Sequence, residues 1–414
     1  MKTYVIDTNV LVHDYHAFDN ILNGNKVVIP YQVLQELDNL KSKTNAVGVN
    51  ARHAIRRIEA ELIAETENLL VDMESYPNIK EPDDKILELC LCLANPILIS
   101  KDVCLRTKAR VKGVQVEDYR EDKVQVSDLY SGLATEFITS EDLDTVYKVG
   151  KCSATEGYYP NQAVVLIDYL NQKNKCLTIH KNGTLYAIDN KMQPFGLTPA
   201  NMEQHLAVNL LLDKDIPLMS MTGRAGSGKT LLAVACALEA VLERNEYSKI
   251  TIARPVMPFQ NDIGYLPGDL RDKLTPWLMP IVDNLEYLFS FSEQIGSKRQ
   301  GKVSKLEELM NFGVIEIAPL TFIRGRSIPN QFIIIDEAQQ VTKEEMKTIL
   351  TRAGTDSKVV LTGDYNQIDN PYLSADNNGL VYCVDKFKEE EIAAHIGFTK
   401  CERSKLAEVA DRIM

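Results

Sequence analysis

The sequence predicts an α/β protein: two domains built on parallel sheets, residues 1–128 and 196–414, joined by a β-rich linker module over residues 129–195. Three observations carry that prediction. Short apolar runs alternate with amphipathic helical patterns near both ends of the sequence, as strands covered by helices do. The stretch between them shows strand patterns only. A length of 414 residues allows about two to four domains.

Taken in order, residues 3–11 (TYVIDTNVL) and 26–30 (KVVIP) are β-rich runs. Residues 31–40, 51–64 and 83–94 space their apolar side chains by three and four, which predicts helices. Residues 96–100 (PILIS) and 114–119 read as further buried strands. In the middle module, residues 163–170, 175–180 and 184–188 predict three strands. Lys181-Asn182-Gly183-Thr184 predicts a hairpin there, because Asn-Gly supplies the positive φ angles of a type I′ turn. Beyond residue 196, strands are expected at 218–222, 249–253, 314–318, 332–335 and 359–362, separated by helices.

Composition narrows the class. Apolar residues make up 45% and charged residues 25% of the chain, which excludes a mostly disordered or low-complexity protein. The formal charge is −12, so any contact with nucleic acid must be confined to local grooves. No apolar run approaches the ~18–20 residues that span a bilayer, and Asp7 interrupts the N-terminal apolar stretch. The eight cysteines form no CxxC pair. Together these features predict a cytoplasmic protein with reduced thiols and no membrane partner.

The most specific motif is Gly223-Arg224-Ala225-Gly226-Ser227-Gly228-Lys229-Thr230, a complete GxxxxGK[ST] phosphate loop. A strand pattern precedes it and a helical pattern follows, which is the context that lets backbone N–H groups wrap a triphosphate. Lys229 is expected on the β- and γ-phosphates and Thr230 on Mg²⁺. The run Phe332-Ile333-Ile334-Ile335 ends in Asp336-Glu337, a strand terminating in two acids. Asp336 suits the Mg²⁺ shell and Glu337 suits activation of the attacking water.

The N-terminal part carries a second set of acids. Asp7 ends the first strand run, Asp102 follows PILIS, and Glu36 and Asp83 or Asp84 lie near helix starts. Loops after the carboxyl ends of parallel strands converge on one crevice. Acids gathered there repel one another unless divalent cations compensate them, so Mg²⁺ or Mn²⁺ held by Asp7, Glu36, Asp83, Asp84 and Asp102 is expected. Two such ions would clamp the attacking and leaving oxygens of a phosphodiester.

These motifs resemble known families. The phosphate loop, the DEAQ segment and Gly363-Asp364-Tyr365-Asn366-Gln367, in that order, resemble a superfamily-one helicase core, which implies a γ-phosphate contact for Gln367. Arg254-Pro255, Gly264-Tyr265-Leu266-Pro267-Gly268 and Arg324-Gly325-Arg326 resemble signatures of PhoH-like, RecA-like P-loop ATPases. Pro199-Ala200-Asn201-Met202-Glu203-Gln204 resembles their adenine-recognising motif, which puts Gln204 on adenine. Arg403 is the resemblance's candidate γ-phosphate sensor or arginine finger, with Arg324, Arg326 and Arg352 as competitors. IDTNVLVHD, VLQELD, PDDKIL and LISKDVCLRTKARVKG resemble a PIN-domain nuclease. That implies catalytic metal binding by Asp7, Glu36, Asp83 (Asp84 as the alternative) and Asp102, with Asn9 orienting Asp7 or a water.

The whole chain is similar to the PIN–PhoH fusion family. The resemblance implies an ATP-dependent RNA helicase or translocase coupled to a metal-dependent endoribonuclease on single-stranded RNA, working as a ring-like homo-oligomer. Two other readings share the motifs: a nucleotide-dependent switch with a non-cleaving PIN scaffold, and a nuclease acting on DNA. Basic clusters at residues 101–112, at Arg52, Arg56 and Arg57, and at Lys298, Arg299, Lys302 and Lys305 are candidate phosphate contacts. Trp277 is a candidate base-stacking residue. His13 and His16 lack zinc spacing and receive no metal role.

Overall fold

A computed structural model describes residues 1–14, 17–43, 46–119, 126, 129–154, 157–255, 270–292, 302–323, 327–370 and 373–400. The chain divides into two compact units, Met1–Lys123 and Val124–Met414.

In the first unit the order is β1 (Thr3–Ile6), α1 (Thr8–His13), α2 (Ala17–Leu22), β2 (Lys26–Pro30), α3 (Tyr31–Leu40), α4 (Ala46–Ile63), β3 (Leu69–Asp72), α5 (Pro82–Cys92), β4 (Pro96–Ile99), α6 (Val103–Val111) and β5 (Gln115–Glu117). The five strands pair in parallel in the order β3-β2-β1-β4-β5. Strands β2 and β4 are nearly all apolar and buried, as strands of a sheet covered on both faces must be. The run at 3–11 is not one strand. The ladder stops at Ile6, Asp7 becomes the N-cap of α1, and Val10 and Leu11 reach the core from a helix instead. Strand β3 had no clear sequence pattern, because its burial is only partial. The strand order reverses between β1 and β4, which is where such sheets open their ligand crevice.

The second unit begins with the β-rich segment: β6 (Leu133–Ile138), α7 (Ser140–Val149), β7 (Lys151–Ser153), β8 (Ala163–Asp168), β9 (Lys175–Lys181) and β10 (Thr184–Ala187). Its sheet order is β6-β8-β9-β10-β7, with β6 and β8 parallel and the other pairs antiparallel. The Asn182-Gly183 turn takes φ of 47° and 75°, as a type I′ hairpin requires. The sequence showed only three of these strands and missed α7. That helix packs Leu143 and Val146 on Val164, Leu166, Cys176 and Leu185.

The remaining elements are α8 (Met202–Leu211), β11 (Leu218–Gly223), α9 (Lys229–Leu238), β12 (Lys249–Arg254), α10 (Leu270–Ser292), α11 (Lys302–Asn311), β13 (Ile315–Pro319), β14 (Gln331–Ile335), α12 (Lys343–Leu350), β15 (Lys358–Gly363), α13 (Gly379–Phe387) and β16 (Ala393–Phe398). Six parallel strands run in the order β13-β12-β14-β15-β11-β16. Lys358 is buried in this core. Its Nζ donates to the carbonyls of Leu210 (3.1 Å) and Asp213 (2.7 Å), closing the last turn of α8. Burial pulls its pKa down to about 7.

The β-rich segment shares a core with the six-stranded sheet: Ala163 and Ile179 pack in one cluster with Leu206, Leu210 and Met221. Asn161 Nδ2 donates to the carbonyls of Glu391 (2.7 Å) and Ala393 (2.9 Å), and Gly397 N donates to Ser131 O (2.8 Å). Gly132, at φ 73°, lies so close to β16 that a Cβ would meet the His395 carbonyl oxygen at 1.8 Å. Gly132→Ala is therefore expected to destabilise the second unit by about 1–3 kcal/mol. Denaturant unfolding followed by two-transition analysis checks this. An unshifted midpoint for the second unit would show that the junction yields freely.

Candidate functional site

Two crevices form at the carboxyl ends of the two parallel sheets. In the second unit, β11 delivers the phosphate loop, β12 delivers Arg254, β14 delivers Asp336 and Glu337, and β15 delivers Gly363 to Gln367. A cavity of about 350 Å³ opens among them, lined by Ala225, Gly228, Lys229, Thr230, Glu337 and Gln367 with their neighbours. That size suits a nucleotide phosphate chain.

Several polar groups in this cavity already bond one another. Lys229 Nζ donates to Gly223 O (2.7 Å), Arg224 O (3.0 Å) and Ser227 Oγ (3.2 Å), so the loop's own oxygens hold the lysine where phosphate oxygens would compete for it. Asp336 Oδ1 accepts from Thr230 Oγ1 and from Thr362 Oγ1, both at 2.7 Å. The hydroxyl and carboxylate expected to share a metal ion are thus already adjacent. Ala225 N donates to Asp364 Oδ2 (3.1 Å), which ties the phosphate loop to the β15 loop. Thr230 and Asp336 offer oxygen donors only, a chemistry that fits Mg²⁺.

Glu337 takes the left-handed conformation (φ 54°, ψ 42°), an uncommon one for a non-glycine residue and frequent at active sites. Burial raises its pKa, and the neighbouring Asp336 raises it further; the hydrogen bond from Gln339, then Arg254 and Lys229, oppose this. Raising a carboxylate toward neutrality is how proteins make it a competent base. Arg254 Nη2 lies 3.2 Å from Glu337 Oε1, and Gln339 Nε2 donates to Glu337 Oε2 at 2.6 Å. Gln367 lines the cavity, and its carbonyl accepts from Gln339 and Gln340. Gln204 is buried, with Oε1 accepting from Ala200 N (2.7 Å) and Nε2 donating to Ser227 O (3.1 Å). Arg352 is exposed beyond α12 and does not line the cavity. Arg403, Arg324, Arg326, residues 264–268, Lys298, Arg299, and the side chains of Trp277, Lys302 and Lys305 lie outside the described residues, as does His16.

In the first unit, Asp7 is buried at the end of β1. Ser100, wholly buried, organises the crevice through one hydroxyl. It donates to Asp7 Oδ2 (2.6 Å) and accepts from Asp102 N (2.9 Å) and Asn9 Nδ2 (3.4 Å), the full capacity of a hydroxyl. Asn9 Oδ1 accepts from Lys101 N at 3.0 Å, so Asn9 acts on Asp7 through Ser100. Burial pushes the Asp7 carboxyl up to about 6 against the Ser100 hydrogen bond, and Glu36 and Asp83 add to the rise. Burial also raises Asp83, with Lys108 opposing and Asp102, Glu36 and Asp84 adding. The acids therefore face one another electrostatically.

One sequence expectation changes here, and two acids have partners already. Glu36 sits in the middle of α3, not near a helix start. Asp84 pairs with Lys108 at 3.2 Å. Asp102 spends Oδ1 on capping α6, accepting from Cys104 N and Leu105 N. Among the described residues no three His, Cys, Asp or Glu side chains close into a ready-made metal shell. A divalent cation here would be held by Asp7 with Glu36, Asp83 and Asp102, whose oxygens are the hard donors such an ion takes. The basic clusters are also partly spent: Arg57 pairs with Asp19 and Glu61, and Arg106 pairs with Asp118. Arg254 and Gln339 belonged to segments singled out in the sequence, but their contacts to Glu337 did not show there; Ser100 and Thr362 had no signal beyond their place at the end of a strand run.

The PIN-domain family profile matches residues 4–120, and the PhoH-like protein profile matches residues 196–414. Protein PhoH2 of Bacillus subtilis is 39% identical over 99% of this chain and 99% of its own length. The chain belongs to the PhoH2 family. Protein PhoH2 of Thermobispora bispora is 32% identical over 100% of this chain and 96% of its own, and that of Mycolicibacterium smegmatis 31% over 100% and 97%. This PhoH2 family member thus carries a PIN domain and a PhoH-like P-loop domain, each with its acids or phosphate loop at the carboxyl end of a parallel sheet. No helix among the described residues is long and apolar enough to cross a membrane.

The Asp7 shift has a thermodynamic consequence. An unfolded aspartate titrates near 3.8 and the folded one near 6, so the folded state holds the proton more tightly. In metal-free buffer, this group's contribution to stability is full below pH 4 and is lost as pH rises through 6, about 3 kcal/mol in all. Asp7→Asn is expected to lose that slope and to melt higher than wild type at pH 7.5 in chelator. Mg²⁺ or Mn²⁺ should then raise the wild-type melting temperature and leave the variant's unchanged. Identical pH slopes in the two proteins would sink the assignment.

Proposed function

We propose that this chain is an ATP-driven RNA helicase or translocase coupled to a metal-dependent endoribonuclease that cuts single-stranded RNA. The observation that carries the reading is the joint presence, in one chain, of a complete phosphate-loop cavity and a buried carboxylate crowded by further acids.

In the ATPase half, Lys229 exchanges the carbonyls of Gly223 and Arg224 for phosphate oxygens. Thr230 and Asp336 hold Mg²⁺, which when bound offsets charge on the phosphates. Glu337, with its raised pKa, takes a proton from the attacking water. Gln367 senses the γ-phosphate and passes its state to Gln339 through the loop they share. Gln204 turns from Ser227 toward the adenine edge, and Arg403 supplies positive charge to the γ-phosphate. In the nuclease half, Asp7, Glu36, Asp83 and Asp102 hold divalent cations, and the exposed Lys112, Arg110 and Arg56 contact the RNA backbone. The working form is a cytoplasmic, ring-like homo-oligomer, which mass measurement of the native particle tests.

Purified full-length protein with Mg²⁺ or Mn²⁺, ATP and labelled RNA or DNA strands separates the activities. Asp7→Asn is expected to abolish cleavage and keep ATP turnover. Lys229→Ala should abolish turnover, and Glu337→Gln should bind ATP yet hydrolyse it about 10²–10⁴-fold more slowly. Cleavage that persists in Asp7→Asn, or of DNA only, would defeat the endoribonuclease reading. Turnover that persists in Lys229→Ala would defeat the ATPase assignment.

A further inference from the structure

The first turn of α8 makes two connections at once. Gln204 reaches the phosphate loop at Ser227. Its neighbour Glu203, 4% exposed, reaches the chain that leaves β16: Oε2 accepts from Thr399 N (3.0 Å) and Lys400 N (3.4 Å), and Oε1 accepts from Thr399 Oγ1. A buried carboxylate is costly unless its lone pairs are filled, and here three donors from one dipeptide fill them. Hydrogen bonds to a charged acceptor are the strong kind.

The dipeptide follows β16 directly. Phe398, the last residue of β16, stands in register with Gly223, the first residue of the phosphate loop. A Cβ at Gly223 would lie 2.5 Å from Phe398 O, so only glycine lets the chain leave β16 this close to the loop. At its other end α8 is pinned by Lys358 of β15, the strand that leads to Gln367.

We propose that Glu203 is a positioning residue of the ATPase site, locking the chain that leaves β16 to the helix that carries Gln204. Nucleotide recognition at Gln204 and the exit of β16 beside Gly223 are then one mechanical piece. When the loop releases Gln204 from Ser227, α8 carries the change to Thr399 and Lys400 through this carboxylate. The inference rests on the ATPase reading and adds a residue that no phosphate or base contact would reveal.

The test compares full-length wild type, Glu203→Ala, Glu203→Gln and Thr399→Val. It reads the affinity for a fluorescent ATP analogue, the steady-state ATP turnover and the melting temperature. Glu203→Ala is expected to bind within about threefold of wild type and to turn over at least about tenfold more slowly, the mark of lost positioning. Glu203→Gln keeps one acceptor oxygen and should fall between the two; Thr399→Val should show the smaller loss with unchanged affinity. If Glu203→Ala fails to fold, the other two variants decide: selective loss of turnover supports the proposal, and wild-type turnover in both overturns it. Losses of affinity and turnover that simply track melting temperature also overturn it, since they mark a packing role. Wild-type protein without Lys229-dependent turnover removes the ATPase reading and this inference with it. Wild-type turnover with no effect of the variants removes this inference alone.

Discussion

The amide of Gln339 holds the working end of the six-stranded sheet together. The residue is wholly buried, so each of its polar atoms must find a partner or cost about 1–3 kcal/mol. Its oxygen accepts from Asp364 N, and its nitrogen donates to Glu337 Oε2 and to Gln367 O. Gln340 repeats the pattern one residue on, binding Gln367 O, Asp369 and Asn370. The turn after β14 and the loop after β15 are therefore stitched into one body. Glu337 cannot shift without disturbing the loop that carries Gln367, because Gln339 bonds both.

The two crevices manage negative charge by opposite means. Asp336 is surrounded by donors: two threonine hydroxyls converge on one of its oxygens. Asp364 likewise accepts from backbone N–H groups of the phosphate loop and of its own turn. Asp7 receives one side-chain donor, Ser100, and faces further acids. The first arrangement is stable as it stands. The second stores repulsion that a cation can relieve, which is the thermodynamic form of metal affinity.

The motif residues were legible because their chemistry fixes both type and spacing. The phosphate loop, Asp336-Glu337 and Asp7 all occupy the carboxyl ends of strands, and an apolar run ending in a polar residue is visible in a linear sequence. Residues that serve by contact across the fold were not legible. Ser100 looks like the last letter of PILIS, and nothing nearby says that its hydroxyl bridges Asp7 and Asp102. Glu203 reads as an ordinary acid in a first helical turn. Helix α1 was hidden inside an apolar run because a six-residue helix offers too few positions to show a period of 3.6. Strand β16 escaped notice because Ala393-Ala394-His395 lacks the β-branched character of its neighbours, although its place beside β11 buries it.

That last strand pair bears on how the chain comes into being. Strands β11 and β16 lie side by side, yet Leu218 pairs with Ala393, so most of the second unit must be threaded before the contact can form. Pairings this distant in sequence are slow to close. The first unit, by contrast, is contiguous and needs nothing downstream of Lys123 for its sheet. During synthesis, the acid crevice can be complete while β11 still presents an open edge. The order of synthesis thus allows the PIN domain to close its sheet before β11 meets β16 beside the phosphate loop.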